Sequence, residues 1–254
     1  MTKSGKELLP STYDDVQFFR DGYAPVKSNG KWGFISSSGK VAVDFQFDDA
    51  RSFRDGVAPM ARGGKWGFVD SSGKWRLEPT FDDALGFCDG WAAVKQGGKW
   101  GFVRKNGTFA VEPQFEDAGS YRDGHAPVKQ GGKWGFLGSS GKFDIPAQFE
   151  DAWHFHESRA AVKVGGKWGY CNTSGKLVIA AQFEDAWPFQ SGLAPVKQNG
   201  KWGYIKSNGK FRIPPVFDMA WPINGVGGVK FNGQWGYIHD NGEVVFGFAQ
   251  KRFK

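Results

Sequence analysis

Residues 183–216 read FEDAWPFQSGLAPVKQNGKWGYIKSNGKFRIPPV. Asn199-Gly200 separates two extended runs, LAPVKQ and KWGYI. A two-residue Asn-Gly step between such runs is the signature of a hairpin, because a type I′ turn needs φ > 0 at both central positions. A second turn follows at Ser207-Asn208-Gly209, and KFRIPP then supplies a third extended run. The stretch therefore reads as an antiparallel meander of three strands: a proline strand (LAPVKQ), a tryptophan strand (KWGYI) and a trailing strand (KFRIPP). Along the tryptophan strand both alternating faces are apolar, with Trp202 and Tyr204 on one side and Ile205 on the other, so it is expected to be covered on both sides. Pro25, Pro59, Pro127 and Pro195 occupy the centre of the proline strand in four copies. Proline donates no ladder hydrogen bond, which makes that strand the expected edge.

The pattern recurs. Trp-Gly pairs stand at Trp32, Trp66, Trp100, Trp134, Trp168, Trp202 and Trp235, five intervals being 34 residues and the last 33. A fixed period of this length marks a repeat architecture, in which each unit buries its faces against its neighbours. The expectation is an all-β fold of seven three-stranded meander repeats in a single domain spanning 1–254. Segment 1–12 is an extra trailing strand or cap, since SGKELLPSTYDDV aligns with SGKWRLEPTFDDA at 72–84. The repeats run over 13–246 and a tail over 247–254. Seven copies favour a propeller-like ring, and an open β-solenoid is the alternative. The glycine after each tryptophan has no side chain, and the expectation is that the indole of one repeat lies over the glycine side of the next. The link FDDAxxF, as at Phe47 to Phe53, is expected to form one helical turn or a tight bend, with its acids capping backbone amides.

Composition bounds the function. Aromatic residues are 17% and glycines number 38, which suits short strands and tight turns. The opening MTKSGKELLP lacks the apolar stretch of a secretory leader, no run is long enough for a transmembrane helix, and two cysteines in non-equivalent positions suggest free thiols. A cytoplasmic location without membrane attachment is expected, unless a leader has been removed. The net charge of +7 is periodic: three recurring lysine slots hold eighteen lysines against thirteen carboxylates in the recurring acid pair.

KWGFI, KWGFV and KWGYI, each with a trailing SSGK or SNGK, followed by PQF, DDA and DG, resemble the WG (KWG) repeat family of bacterial proteins. The resemblance implies a β-rich repeat module without a shared catalytic motif and names no ligand. Departures are Gln234 in place of lysine before Trp235, Ser158 in place of the glycine of the DG pair, and one residue deleted near Asn224.

Candidate chemistry is sparse. The acid pairs (Asp48-Asp49, Asp82-Asp83, Glu116-Asp117, Glu150-Asp151, Glu184-Asp185) recur in nearly every repeat, whereas a glycosidase needs its pair once. They read as caps. The lysines before Trp-Gly (Lys31, Lys65, Lys99, Lys133, Lys167 and Lys201) form a ladder that suits a polyanion. His154 and His156 offer two nitrogens without a third metal ligand nearby in sequence. No nucleophile elbow or phosphate-binding glycine motif is present. The informative column follows the link alanine: Gln17, Arg51, Leu85, Gly119, Trp153, Trp187, Trp221. A slot that accepts glutamine, arginine and glycine is not core, so three successive tryptophans there read either as a binding stripe or as rings packed locally on Pro188 and Pro222 of the AWP sequences. A second column, including Trp91, His125 and Arg159, precedes the proline strand and is expected to line the same end. These readings combine into a non-catalytic module for protein or peptide binding, a scaffold or an inhibitor- or immunity-type partner. Carbohydrate or polyanion binding is the alternative, and a repeat-scaffold hydrolase ranks third. No cofactor or metal is expected.

Overall fold

The computed structural model describes residues 13–249, 252 and 253. These form seven four-stranded antiparallel sheets, with no helix among the described residues. The segment 1–12, read as an extra trailing strand, lies outside them. The sixth sheet shows the plan. Asp185–Ala186, Leu193–Gln198, Lys201–Lys206 and Phe211–Phe217 pair in chain order. Asn199 and Gly200 take φ of 52° and 75°, as the hairpin chemistry requires. A second left-handed pair joins the link to its proline strand in the first six sheets; in the seventh, one residue shorter, only Gly225 is left-handed. In the fifth sheet Glu157 and Ser158 adopt it without any glycine, at φ 53° and 60°.

The sheets thus have four strands where three were expected. The link is not a helical turn: its Asp-Ala step is a strand, with Asp185 opposite Lys197 and Ala186 opposite Val196. A strand of two residues is too short to show alternation, but it satisfies the outward-facing amides and carbonyls of the proline strand. That strand is consequently not the edge. Pro195 sits where the two-residue strand ends, and its carbonyl accepts the Trp187 amide at 3.0 Å. Its missing N–H would face the Trp187 carbonyl, which accepts from the Tyr170 hydroxyl at 2.8 Å instead.

The glycine of each Trp-Gly pair also has a different use from the one expected. Trp202 lies opposite Phe217 and Tyr204 opposite Ile213, so the trailing strand bulges between these pairs. The bulge drives the Ile213 carbonyl toward Gly203, where an added Cβ would stand 2.7 Å from that oxygen. Gly33, Gly67 and Gly101 face the carbonyls of Val43, Leu77 and Val111 in the same way. The space is filled by the repeat's own backbone, not by a neighbour's indole. Close approach between sheets falls instead to the turn glycine before the trailing strand. A Cβ on Gly73 would lie 3.1 Å from Val43, and one on Gly107 2.9 Å from Leu77 of the preceding sheet.

The chain resolves into two compact units, Met1–Tyr121 and Arg122–Lys254. Within each, the core lies between successive sheets, as face-to-face stacking requires. In the first unit Trp32, Phe34 and Phe47 pack against Phe53, Ala58 and Met60 of the next sheet. Trp66, Phe68 and Phe81 do the same with Phe87, Ala92 and Val94. In the second unit Trp168, Tyr170 and Phe183 meet Phe189, Ala194 and Val196. Trp202, Tyr204 and Phe217 meet Ile223, Val229 and Ile238. The tail is partly structural: Phe253 is buried, its ring 4.6 Å from that of Phe217.

Candidate binding surface

The tryptophan column begins where each two-residue strand ends. The amides of Trp153, Trp187 and Trp221 donate to the carbonyls of Ala161, Pro195 and Gly228 at 2.9–3.0 Å, which fixes their backbone against the proline strand. Two of these links are tied from the other side as well. The hydroxyls of Tyr170 and Tyr204, in the preceding sheets, donate to the carbonyls of Trp187 and Trp221, each at 2.8 Å. Burial pushes both phenols above their ordinary ionisation range, so they remain donors. At Trp187 and Trp221 the backbone is therefore anchored at both edges while the indoles project outward.

The three rings are exposed by 38, 39 and 57% for Trp153, Trp187 and Trp221. Trp153 and Trp187 stack, with centroids 5.6 Å apart and planes 18° apart. Trp221 makes an edge-to-face pair with Trp235 instead, at 6.2 Å and 76°. The expected stripe thus consists of a stacked pair and a separate corner. In the first unit the same slot holds Arg51, whose guanidinium lies 4.5 Å from the Trp66 ring centre and 3.0 Å from Asp83, and donates to the Ala84 carbonyl.

The corner is the part sequence reasoning missed. Trp221, Pro222, Gly228, Trp235, Gly236 and Tyr237 line a cleft of about 380 Å³. Trp235 was expected in the buried structural column, yet it is 47% exposed and Tyr237 54%. Their counterparts Trp202 and Tyr204 are buried because the seventh sheet covers them. Gly228 stands where the sixth sheet has Pro195, and an added Cβ would meet only Tyr237, at 3.8 Å. Two departures in the sequence pointed here: Gly227-Gly228 in place of Ala-Pro, and Gln234 in place of lysine. Trp134 also departs from its column, being only part-buried.

The second column turns inward and does not join the tryptophans. Trp91 lies 4.9 Å from the Tyr121 ring, His125 4.7 Å from Phe155, and the Arg159 guanidinium 5.6 Å from Phe189. Each packs on the link ring of the following sheet. His125 is further held by the Asp123 carbonyl at 2.9 Å and by Asp144 at 3.4 Å.

The first acid of each pair is used within the framework. Asp48, Asp82 and Asp218 each accept the ammonium of the preceding sheet's lysine (Lys31, Lys65, Lys201) at 2.6 Å. The same carboxylates cap their own hairpins, Asp48 at Gly63 and Asp218 at Gly233. The lysine, then the turn amide, holds each of these carboxyls below its ordinary value of 3.8. Glu150, one methylene longer, reaches both Gly165 and Gly166, and those amides lower its pKa too. Three rungs of the lysine ladder are thereby neutralised. The His154 and His156 rings lie 6.4 Å apart, and no group of three or more metal-binding side chains occurs among the described residues. No helix there is long and apolar enough to cross a membrane.

A family model described as WG containing repeat matches seven consecutive segments: 1–32, 32–66, 66–100, 100–134, 134–168, 168–202 and 202–235. No curated protein matches the sequence. Among solved structures, a eukaryotic initiation factor aligns with a TM-score of 0.64 at 10% identity, covering 96% of this chain and 80% of that one. Hsv2p of Kluyveromyces lactis aligns at 0.53 and 11%, covering 91% and 95%. The dihydro-heme d1 dehydrogenase NirN aligns at 0.55 and 10%, covering 95% and 67%. At these identities the likeness concerns the fold alone, which is β-propeller-like.

Proposed function

Since the chain belongs to the WG containing repeat family and carries that repeat β-fold throughout, we propose that it is a non-catalytic interaction module that holds a protein or peptide on the exposed tryptophans of its second unit. The observation that carries this reading is the exposure of Trp153, Trp187 and Trp221 on a backbone held by the proline strand and, at Trp187 and Trp221, also by a tyrosine hydroxyl of the preceding sheet. Rigid aromatic anchors on a fixed frame give contact area at little entropic cost, and such residues dominate interface energetics. The three indoles supply affinity, and the residues around them supply selectivity.

The test is the triple variant Trp153→Ala, Trp187→Ala, Trp221→Ala. It is expected to fold with a near-unchanged melting temperature, and to lose the proteins that the wild-type chain captures from a bacterial lysate. Against a purified partner, each single substitution should weaken binding by roughly tenfold or more. An unfolded triple variant makes the row core; undiminished capture removes it from the interface. Carbohydrate binding is the second reading, favoured by the cleft at Trp221, Trp235 and Tyr237, where aromatic walls stand over glycines. Binding of a glycan that survives high salt and is lost with Trp235→Ala would select it. Polyanion binding is the weaker reading, because Lys31, Lys65 and Lys201 already hold carboxylates.

A further inference from the structure

The second sheet leaves open a place that other sheets fill. The residue that precedes or opens the proline strand packs on the link ring of the following sheet. Tyr23 lies 4.9 Å from Phe53, Trp91 4.9 Å from Tyr121 and His125 4.7 Å from Phe155, centroid to centroid, and the Arg159 guanidinium is 5.6 Å from Phe189. All four groups are flat. Val57 holds this position in the second sheet, ahead of Phe87, and carries no such group. Leu193, at the same place in the sixth sheet, is one carbon longer and buried. Beside Val57 is a cleft of about 450 Å³, within the range of small-molecule sites. Val57 and Leu77 form its part-buried walls, Phe68 and Phe87 its buried floor, and Arg76 and Lys105 are its cations. All of these residues lie inside the first unit, away from both ends of the chain.

The fourth sheet shows how polar groups address this place. There His125 supplies the flat group, and its ring nitrogens are met by the Asp123 carbonyl at 2.9 Å and by Asp144 of the trailing strand at 3.4 Å. Two periods earlier the same two positions hold Asp55 and Arg76. The Asp55 carbonyl is already taken by the Lys105 ammonium at 2.7 Å, with the Asp55 carboxylate 3.9 Å away. The first six repeats otherwise have serine or threonine at the Lys105 position. Arg76 stands where Asp144 stands, so the charge is reversed: an acid meets a base in the fourth sheet, and a base lines the open place in the second. Arg76 pairs with Asp70 at 3.4 Å, and its side chain is 61% exposed. Asp70 does not depend on that pair, because it also accepts the Ser72 hydroxyl at 2.6 Å and the Ser72 and Lys74 amides at 2.9 and 3.2 Å. An exposed pair of this kind contributes little and yields its cation readily.

We infer that this cleft binds a small aromatic carboxylate. Its ring sets against Val57 and Leu77, in the place that Tyr23, Trp91 and His125 fill elsewhere. Its carboxylate sits on the Arg76 guanidinium, whose fork matches a carboxylate through two parallel N–H···O bonds. Lys105 adds a second positive charge in the same cleft. The site uses none of Trp153, Trp187 and Trp221, so it goes beyond the partner-binding reading and stands or falls apart from it.

An amide-resolved NMR titration of the full chain with indole-3-carboxylate, whose ring matches the Trp91 side chain, tests it. Saturable shifts are expected around Gly56, Val57, Leu77 and Phe87, with a Kd of about 0.1–1 mM. The neutral analogue indole-3-carboxamide should bind roughly tenfold more weakly. Arg76→Gln should weaken the carboxylate roughly tenfold and leave the carboxamide unchanged, so that the preference between the two probes disappears. Val57→Trp, which places a ring on the chain itself, should abolish binding of both probes with an unchanged or higher melting temperature. If that variant unfolds, Val57→Tyr takes its place with the same expectation. Trp153→Ala with Trp187→Ala should leave the titration unchanged. The proposal is overturned by an absence of saturable shifts up to about 10 mM probe, by shifts centred on the second unit, or by equal affinity of the wild type for the two probes. Undiminished carboxylate binding in Arg76→Gln, or in the folded Val57 variant, overturns it equally.

Discussion

The sixth and seventh sheets pair their proline and tryptophan strands in the same register and have opposite surfaces. In the sixth, Trp202 and Tyr204 vanish beneath Ile223, Val229 and Ile238. In the seventh, Trp235 and Tyr237 hold the same register, opposite Lys230 and Gly228, and remain open. The tryptophan strand is not intrinsically core; the next repeat makes it so. A residue buried at most earlier positions is therefore exposed at the seventh, with the tryptophan strand keeping its register against the proline strand. Gly228 adds to this, removing the proline that would fill the corner.

The sharpest way to break that contrast is paired substitution. Trp202→Ala should cost about 3–5 kcal/mol in denaturant melts, whereas Trp235→Ala should cost under about 1 kcal/mol. Equal costs would mean that Trp235 is covered in solution. The glycines give the next largest difference. Gly203→Ala forces a Cβ onto the Ile213 carbonyl and should destabilise by about 2–3 kcal/mol, whereas Gly228→Ala, facing open space, should stay within about 0.5 kcal/mol. The tyrosines sharpen it further. Tyr204→Phe leaves the Trp221 carbonyl without its donor and should cost about 1–2 kcal/mol, read by chemical denaturation; Tyr237→Phe should leave monomer stability unchanged. The smallest effect is electrostatic. Asp48, Asp82 and Asp218 have folded pKa values depressed below 3.8, so their contribution is present above that pH and is lost as pH falls through the folded values. An acid titration of melting temperature should show this loss below about pH 4, reduced in Asp218→Asn; because these groups face solvent, the step is expected to be small.

The period, the Asn-Gly and Gly-Gly turns and the three longer strands of each repeat were legible in the sequence, because turn chemistry and spacing are local. The fourth strand was not: Asp185–Ala186 is too short to carry a pattern. The role of Gly203 was also hidden, because its neighbour is a backbone carbonyl raised by a bulge, and a carbonyl leaves no mark on residue type. For the site, variability singled out Trp153, Trp187 and Trp221, which the structure leaves exposed. The second column misled because tolerance of His125 and Arg159 reflects packing on a ring, which several side-chain types can do. Trp235 was hidden by membership in a column whose burial depends on the presence of a further repeat.

The turn glycine that settles on the preceding repeat's aliphatic side chain, as Gly73 does on Val43 and Gly209 on Ile179, involves only adjacent copies. So do the lysine–aspartate pairs. Nothing in such a junction records its ordinal place in the series. Duplication or loss of one whole 34-residue cassette would leave every remaining seam intact, and would simply move the open terminal face to a new distance from the stacked indoles.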